Sequence, residues 1–247
     1  MNYFRKIIED IEVHNEDGIR DCFRNGVDPN ILYNGEPLIN ELIGGYLRGP
    51  SFKKCIRAFV ESGVQVEDKV LLNTLLDDDN SLEKNIENNP ELVSNKYTLR
   101  CAFTPLHETT LLHICAEFNH VNCAKILMTY GANVNARAGL DEYGFGGQTP
   151  VFHTVNQNRH QSADVMNYLL QNSCDLQINV RGLIWGKGFE WETFIPAVNP
   201  ISYALMGLLP QMHRDEKTTA DVVERLIKEA FGIQYRCKNI PNKYLSQ

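Results

Sequence analysis

The sequence lacks most of the patterns that mark membrane, secreted or catalytic proteins. It has no run of about 18 apolar residues, which argues against a membrane-spanning helix. It has no long basic run, and a net charge of −7 disfavours non-specific attraction to nucleic acid. Its seven cysteines include no CxxC pair, and their number is odd, so they read as reduced thiols of a cytosolic protein. The segment MNYFRKIIEDIEV carries charges throughout its first apolar run, unlike a signal peptide.

Catalytic and metal motifs are missing too. No G-x-S-x-G elbow occurs. The string His107-Glu108-Thr109-Thr110-Leu111 begins like the zinc-binding HExxH. Leu111 stands where the second histidine must be, and both histidines have to share a helical face to hold one metal. Gly182-Leu183-Ile184-Trp185-Gly186-Lys187-Gly188 approaches a phosphate-binding loop. It has three intervening residues where the loop needs four, and Gly188 replaces the magnesium-binding hydroxyl. The residues that follow, Phe189 to Thr193, read as extended rather than helical. Asp77-Asp78-Asp79 follows a short helical pattern and reads as a solvated turn. No catalytic residue, metal ligand or cofactor is expected.

What is present is 247 residues of ordinary globular composition, 43% apolar and 22% charged, enough to bury a sizeable core. The clearest pattern is TLLHICAEFNHVNCAKILMTYGANVNA, from Thr110 to Ala136. Leu111, Leu112, Ile114, Cys115 and Ala116 give one apolar helical face, and Val121, Cys123, Ala124, Ile126, Leu127 and Met128 give a second. Phe118-Asn119-His120 between them is long enough only for a tight turn. Neither helix exceeds about ten residues, so the pair is marginal alone and must stack on neighbours. Gly131 lies where a helix would end in a left-handed residue.

This segment resembles an ankyrin repeat, whose pattern is T-P-L-H-x-A, a second helix and a G-A-D-V-N-like close. Thr110, Leu112, His113, Ala116, His120, Gly131, Ala132, Val134 and Asn135 match in register, while Leu111 replaces the usual proline and Asn119 the usual glycine. The resemblance implies that His113 hydrogen-bonds backbone in neighbouring turns. Further copies open at Thr149-Pro150-Val151, with an insertion near Asn158 to Gln161, and at Asn199-Pro200-Ile201. The latter has a second helix from about Thr219 to Ala230 and an insertion around Gly207 to Arg214. Gly26-Val27-Asp28-Pro29-Asn30 and Ser62-Gly63-Val64-Gln65-Val66 resemble two more closes. Six units are expected, near residues 1–30, 31–66, 67–98, 107–136, 147–178 and 198–232. They would form one all-α ankyrin-repeat solenoid over residues 1–232, with a polar tail at 233–247.

Two inter-repeat loops are enlarged. Ala136 to Gln148 carries four glycines with Tyr143 and Phe145, and Gln177 to Val198 holds both tryptophans. Loops of this length are often functional, and the two flank one repeat, so they should project side by side. Aromatic residues and arginine are enriched at binding hot spots. Arg137, Tyr143, Phe145, Arg181, Trp185, Lys187 and Trp191 are therefore the expected partner-binding residues. The competing reading is that the tryptophans plug the long loop onto its neighbour. The two are compatible, with Trp191 anchoring and Trp185 presented.

The resemblance implies a non-catalytic module that grips a protein partner with its fingers and concave helices, as adaptors, effectors and immunity proteins do. It is expected to be cytoplasmic and monomeric, with no membrane or nucleic-acid partner. The alternative is a small-molecule-binding protein or enzyme with its site under the Trp185–Trp191 loop, using Arg181, Lys187, Glu190 and Glu192.

Overall fold

The computed structural model describes residues 2–208 and 215–237. Six helix pairs follow one another among them. They are α1 (Tyr3–Glu12) with α2 (Glu16–Arg24), α3 (Ile39–Gly44) with α4 (Ser51–Glu61), and α5 (Lys69–Leu76) with α6 (Asp79–Asn88). Then come α7 (Leu111–Phe118) with α8 (Val121–Thr129), α9 (Phe152–Val155) with α10 (Ala163–Gln171), and α11 (Pro200–Leu205) with α12 (Glu216–Phe231). The pairs stack in chain order, α2 on α4, α4 on α5, α5 on α7, α7 on α9 and α9 on α11. Buried apolar side chains form one cluster from Ile7 in α1 to Leu226 in α12. Such short helices gain their stability from this shared core.

The fold is therefore a helical repeat, but the all-α expectation omits three antiparallel two-stranded sheets. These are β1 (Leu32–Tyr33) with β2 (Glu36–Pro37), β3 (Tyr97–Leu99) with β4 (Leu106–Thr109), and β5 (Val180–Trp185) with β6 (Thr193–Val198). The connections between pairs are long enough to fold back, and pairing satisfies their own backbone groups.

Sequence details explain how neighbouring pairs lock together. Asp77 and Asn119 each adopt a left-handed backbone, at φ 55° and 58°, in the turn between two helices. Asp77 Oδ1 accepts from the Cys123 amide at 3.0 Å, and Asn119 Oδ1 accepts from the Val165 amide at 3.0 Å. Each thus caps the second helix of the next pair, where His120 and Ser162 make no side-chain cap. The repeat closes link in the same way, because Asn30 Oδ1 accepts from the Gln65 amide and Asn135 Oδ1 from the Asp175 amide.

His113 behaves as expected. Its Nδ1 accepts from the Thr110 amide at 3.2 Å, which leaves Nε2 protonated to donate to the Gln148 carbonyl at 3.1 Å. Gly131 has φ 87°, the left-handed close its position predicts. The insertion near Asn158 is a 3-10 turn, Asn158–His160, and leaves α9 only four residues long. Of the insertion around Gly207 to Arg214, positions 209–214 with His213 and Arg214 lie outside the described residues, as do positions 238–247 of the expected tail.

Candidate functional site

The two enlarged loops meet side by side. In the first, Asp141 Oδ1 accepts from the amides of Tyr143 and Phe145, both at 2.9 Å, which tightens the tip. Leu140 bridges Gly146 across the loop. The Gly146 amide then donates to the Gly182 carbonyl on β5 at 2.9 Å, tying the two fingers together. Side chains extend the contact. Phe145 and Phe194 rings lie 4.7 Å apart, and the Arg181 guanidinium sits 5.7 Å from the Phe145 ring centre.

The second loop is the β5–β6 hairpin, and its tip builds a core of its own. Trp185 is 4% exposed and lies 4.6 Å from Trp191. Trp191 stacks on Phe189 at 4.6 Å and meets Tyr46, from the α3–α4 connection, at 5.1 Å. Gly186 has φ 64°, and a Cβ there would overlap the Trp191 ring. The Arg100 guanidinium stands 4.9 Å from the Phe189 ring centre. The expectation that Trp185 is presented to a partner is thus corrected. A hairpin of this length needs apolar filling to be ordered, and Trp185 and Trp191 supply it.

The remaining expected residues divide by exposure. Arg137, Tyr143, Arg181 and Lys187 are exposed, while Phe145 is half-buried. Arg137 donates to the Gly147 carbonyl at 3.0 Å. No carboxylate lies within ion-pair distance of Arg137 or Arg181 among the described residues. Leu140 and Phe194 join this surface at 59% and 51% exposure and were not anticipated. The signal for Phe194 was the alternation of Thr193-Phe194-Ile195, which turns Ile195 inward and Phe194 outward.

Between β3–β4, the first finger and β5 lies a cleft of about 280 Å³. Leu99, Leu106, Phe145, Leu183 and Ile184 supply its apolar wall, with Arg100, Asp141, Glu142 and Lys187 among its charged residues. Lys187 Nζ is 3.1 Å from Glu142 and 3.6 Å from Asp141. That hydrogen bond to Glu142 raises the Lys187 pKa, and a backbone hydrogen bond followed by the Lys187 contact lowers that of Glu142. Gln148 also lines the cleft. Its Nε2 donates to the Pro105 carbonyl, and its buried Oε1 has no hydrogen-bond partner.

Behind the fingers, the first helices of the fourth and fifth pairs offer no open face. Every residue of α7 and α9 is buried. The α3–α4 connection reaches across the end of α7, placing Arg48 against the Phe118 ring and on Glu117. Sequence reasoning missed this contact. Its one signal was Glu117, a carboxylate inside the apolar run of α7.

The near-motifs find no supporting geometry. His107 and Glu108 lie on strand β4, both exposed, and not on a helix that could carry a second histidine one turn later. Gly182 to Trp185 belong to β5, and no helix follows Lys187 to aim its amides at a phosphate. Among the described residues, no group of three His, Cys, Asp or Glu side chains is gathered for a metal. No helix among them is long and apolar enough to cross a membrane.

A family model described as ankyrin repeats, in three copies, matches residues 51–181, just over half of the chain. No curated protein matches it.

Proposed function

The chain belongs to the ankyrin-repeat family, and on that premise we propose that it is a non-catalytic, cytoplasmic module that binds a protein partner. Ankyrin repeats generally mediate protein–protein interaction. In this reading the six helix pairs are six repeats of one solenoid domain over residues 1–232, and the chain acts as a monomer.

The observation that carries the site is the fingertip surface. Leu140, Tyr143 and Phe194 are exposed together on two fingers joined by a backbone hydrogen bond. Arg137 and Arg181 flank them, with no carboxylate within ion-pair distance among the described residues. Exposed aromatic residues beside arginine, held on a rigid frame, are the composition of a hot spot. Arg137, Tyr143, Phe145 and Arg181 form its centre, and Lys187 its edge. Trp185 and Trp191 support it from below. The concave contribution is narrower than the resemblance implied, because α7 and α9 are covered by the chain itself. A small-molecule site under the Trp185–Trp191 loop has less support, because Trp185, Trp191, Phe189 and Tyr46 fill that space with their own rings.

The test is affinity capture from native lysate with wild type and a Tyr143→Ala/Arg181→Ala variant, both checked for folding by circular dichroism. A protein retained by wild type and lost by the folded variant supports the reading. Hydrogen exchange on the recovered complex should then show protection at residues 139–146 and 193–196. Retention that ignores the variant overturns the fingertip site.

A further inference from the structure

We propose that the outer edge of β6 takes up an extended segment of the protein partner as one more strand. The proposal rests on the protein-binding reading above and names the form in which the partner is held.

The enlarged connections are joined by more than one contact. β3 pairs with β4, and the His107 carbonyl on β4 accepts from the Gly139 amide at 2.9 Å. The two arms of the first finger pair with each other, Ala138 donating to Gln148 and Gly147 to Gly139. Gly146 then donates to Gly182 on β5, and β5 pairs with β6. Backbone hydrogen bonds thus run without a break from β3 through the first finger to β6. The ribbon ends there, because no described segment pairs with the outer side of β6.

Register fixes what that edge offers. Gly182 lies opposite Pro196, Leu183 opposite Ile195 and Ile184 opposite Phe194. The Gly182 carbonyl is turned to Gly146, away from β6, and Pro196 has no N–H, so this pair is not hydrogen-bonded. In an antiparallel ladder such pairs alternate with bonded ones. Leu183–Ile195 is therefore bonded and Ile184–Phe194 is not. The Phe194 N–H, the Phe194 carbonyl and the Pro196 carbonyl consequently point outward, and none of them has a hydrogen-bond partner among the described residues. Phe194 is 51% exposed, and Pro196 and Ala197 are exposed beside it.

A bare edge is a template for another strand unless it is guarded, and proline guards only one end of this one. The edge selects an extended segment with amide donors at two positions, two residues apart, for the Phe194 and Pro196 carbonyls. A carbonyl of that segment receives the Phe194 N–H. In strand addition the main chain gives affinity and the side chains give specificity. A β-branched or aromatic residue beside Phe194 adds a cross-strand contact with its ring. A second copy of this chain fits less well. Two β6 strands paired about Phe194 would set Pro196 against Glu192, whose N–H is committed to the Phe189 carbonyl at 3.0 Å.

The test titrates the isotope-labelled chain with a blocked heptapeptide, alternating threonine and valine between terminal lysines. Amide shifts and hydrogen exchange are followed. A control peptide carries N-methyl groups on two adjacent central residues, which blocks both of its edges. The expected result is a saturable downfield shift and slowed exchange of the Phe194 amide, with exchange at Ile195, already in the ladder, little changed. The control should bind about ten-fold more weakly. Phe194→Pro removes the outward donor without taking a ladder bond and should weaken the peptide as well. The peptide comparison uses the wild-type chain and stands whatever that variant does. Equal binding of the two peptides, or shifts centred away from β6, overturns the proposal. So does a Phe194 amide already protected in the chain alone, which means that its own chain covers the edge. Protection that grows with chain concentration means a second copy and overturns it too. Failure of the peptide, with fingertip-dependent capture intact, overturns strand addition alone. Capture that ignores Tyr143→Ala/Arg181→Ala, with the peptide still bound at Phe194, overturns the fingertip site and supports the edge.

Discussion

Arg48 Nε and Glu117 Oε1 meet at 2.9 Å across 69 residues of sequence, and the two side chains are 3% and 0% exposed. Around them the network is dense. Arg48 also donates to the carbonyls of Gly45 and Leu47, and His153 Nδ1 lies 3.0 Å from the second Glu117 oxygen. Gln157 donates to the Glu117 carbonyl at 2.6 Å. Burial pushes the Glu117 carboxyl pKa up, but the Arg48 charge and the His153 hydrogen bond outweigh it and hold the group below its ordinary range. The pair fastens the α3–α4 connection over α7, and so closes the face that another ankyrin array would leave open.

Breaking that pair from one side should be severe. Arg48→Met leaves a buried carboxylate without its cation, which costs about 3–5 kcal/mol. The double variant Arg48→Met/Glu117→Gln removes both charges, and Gln can still accept from His153. Urea denaturation should find the double variant more stable than Arg48→Met alone. If the single variant loses less than about 1 kcal/mol, the pair does not hold the connection in place.

Stability should also fall on mild acidification. Burial lowers the pKa of His14 and His120 to about 4, and that of His113 well below its ordinary 6.5. For His120 the nearby Asp77 pushes the other way without prevailing. A histidine whose folded pKa is depressed stays neutral when folded, while the unfolded chain takes up the proton. Stability contributed this way is complete above about pH 6.5 and is lost as the pH falls toward 4. Each such group gives a slope of at most about 1.4 kcal/mol per pH unit. Denaturation midpoints measured from pH 7.5 to 4.5 should show this decline, and His120→Gln, which can still donate to the Thr74 carbonyl, should make it shallower. A flat profile would show that these rings are open to protons in the native state.

The hairpin tip can be opened by one methyl group. Gly186 has φ 64° and its Cα faces the Trp191 ring, so Gly186→Ala adds both backbone strain and a steric overlap. Both tryptophans of the protein sit in this tip, so fluorescence reports on it directly. Gly186→Ala should shift emission to longer wavelength and raise acrylamide quenching, with far-ultraviolet circular dichroism little changed. Unaltered quenching would mean that Trp185 and Trp191 do not form one packed unit.

The sequence was most legible where local rules act alone. Thr110 to Ala136 announced two short helices, a tight turn and a left-handed glycine, and all of these stand in the structure. The meeting of the two enlarged fingers followed from their spacing around one repeat. Long-range relations were opaque. Arg48 sits in an ordinary-looking Gly-Tyr-Leu-Arg-Gly-Pro connection, and its partner lies 69 residues away. The inward turn of Trp185 depends on hairpin register and on Trp191, which itself meets Tyr46 from the connection between α3 and α4. Composition placed both tryptophans in a surface loop, and only packing shows that one of them is buried.

Asn119 shows why family pattern and physical context can disagree. Ankyrin repeats usually carry glycine here, and the left-handed backbone at φ 58° costs a non-glycine residue about 1 kcal/mol. Pattern alone therefore predicts that Asn119→Gly stabilises. The contacts predict the reverse, because Asn119 Oδ1 caps Val165 at 3.0 Å and its Nδ2 donates to Asp164 at 3.1 Å. Losing a helix cap costs about 1 kcal/mol, and the second hydrogen bond adds roughly 0.5–1.5. The net expectation is a loss of about 1 kcal/mol in urea denaturation. Asp77→Gly should cost more, since Asp77 also pairs with Lys53 at 2.9 Å and its side chain is nearly buried. If Asn119→Gly stabilises instead, backbone strain outweighs the cap, and the left-handed turn residues are not what ties each repeat to the next.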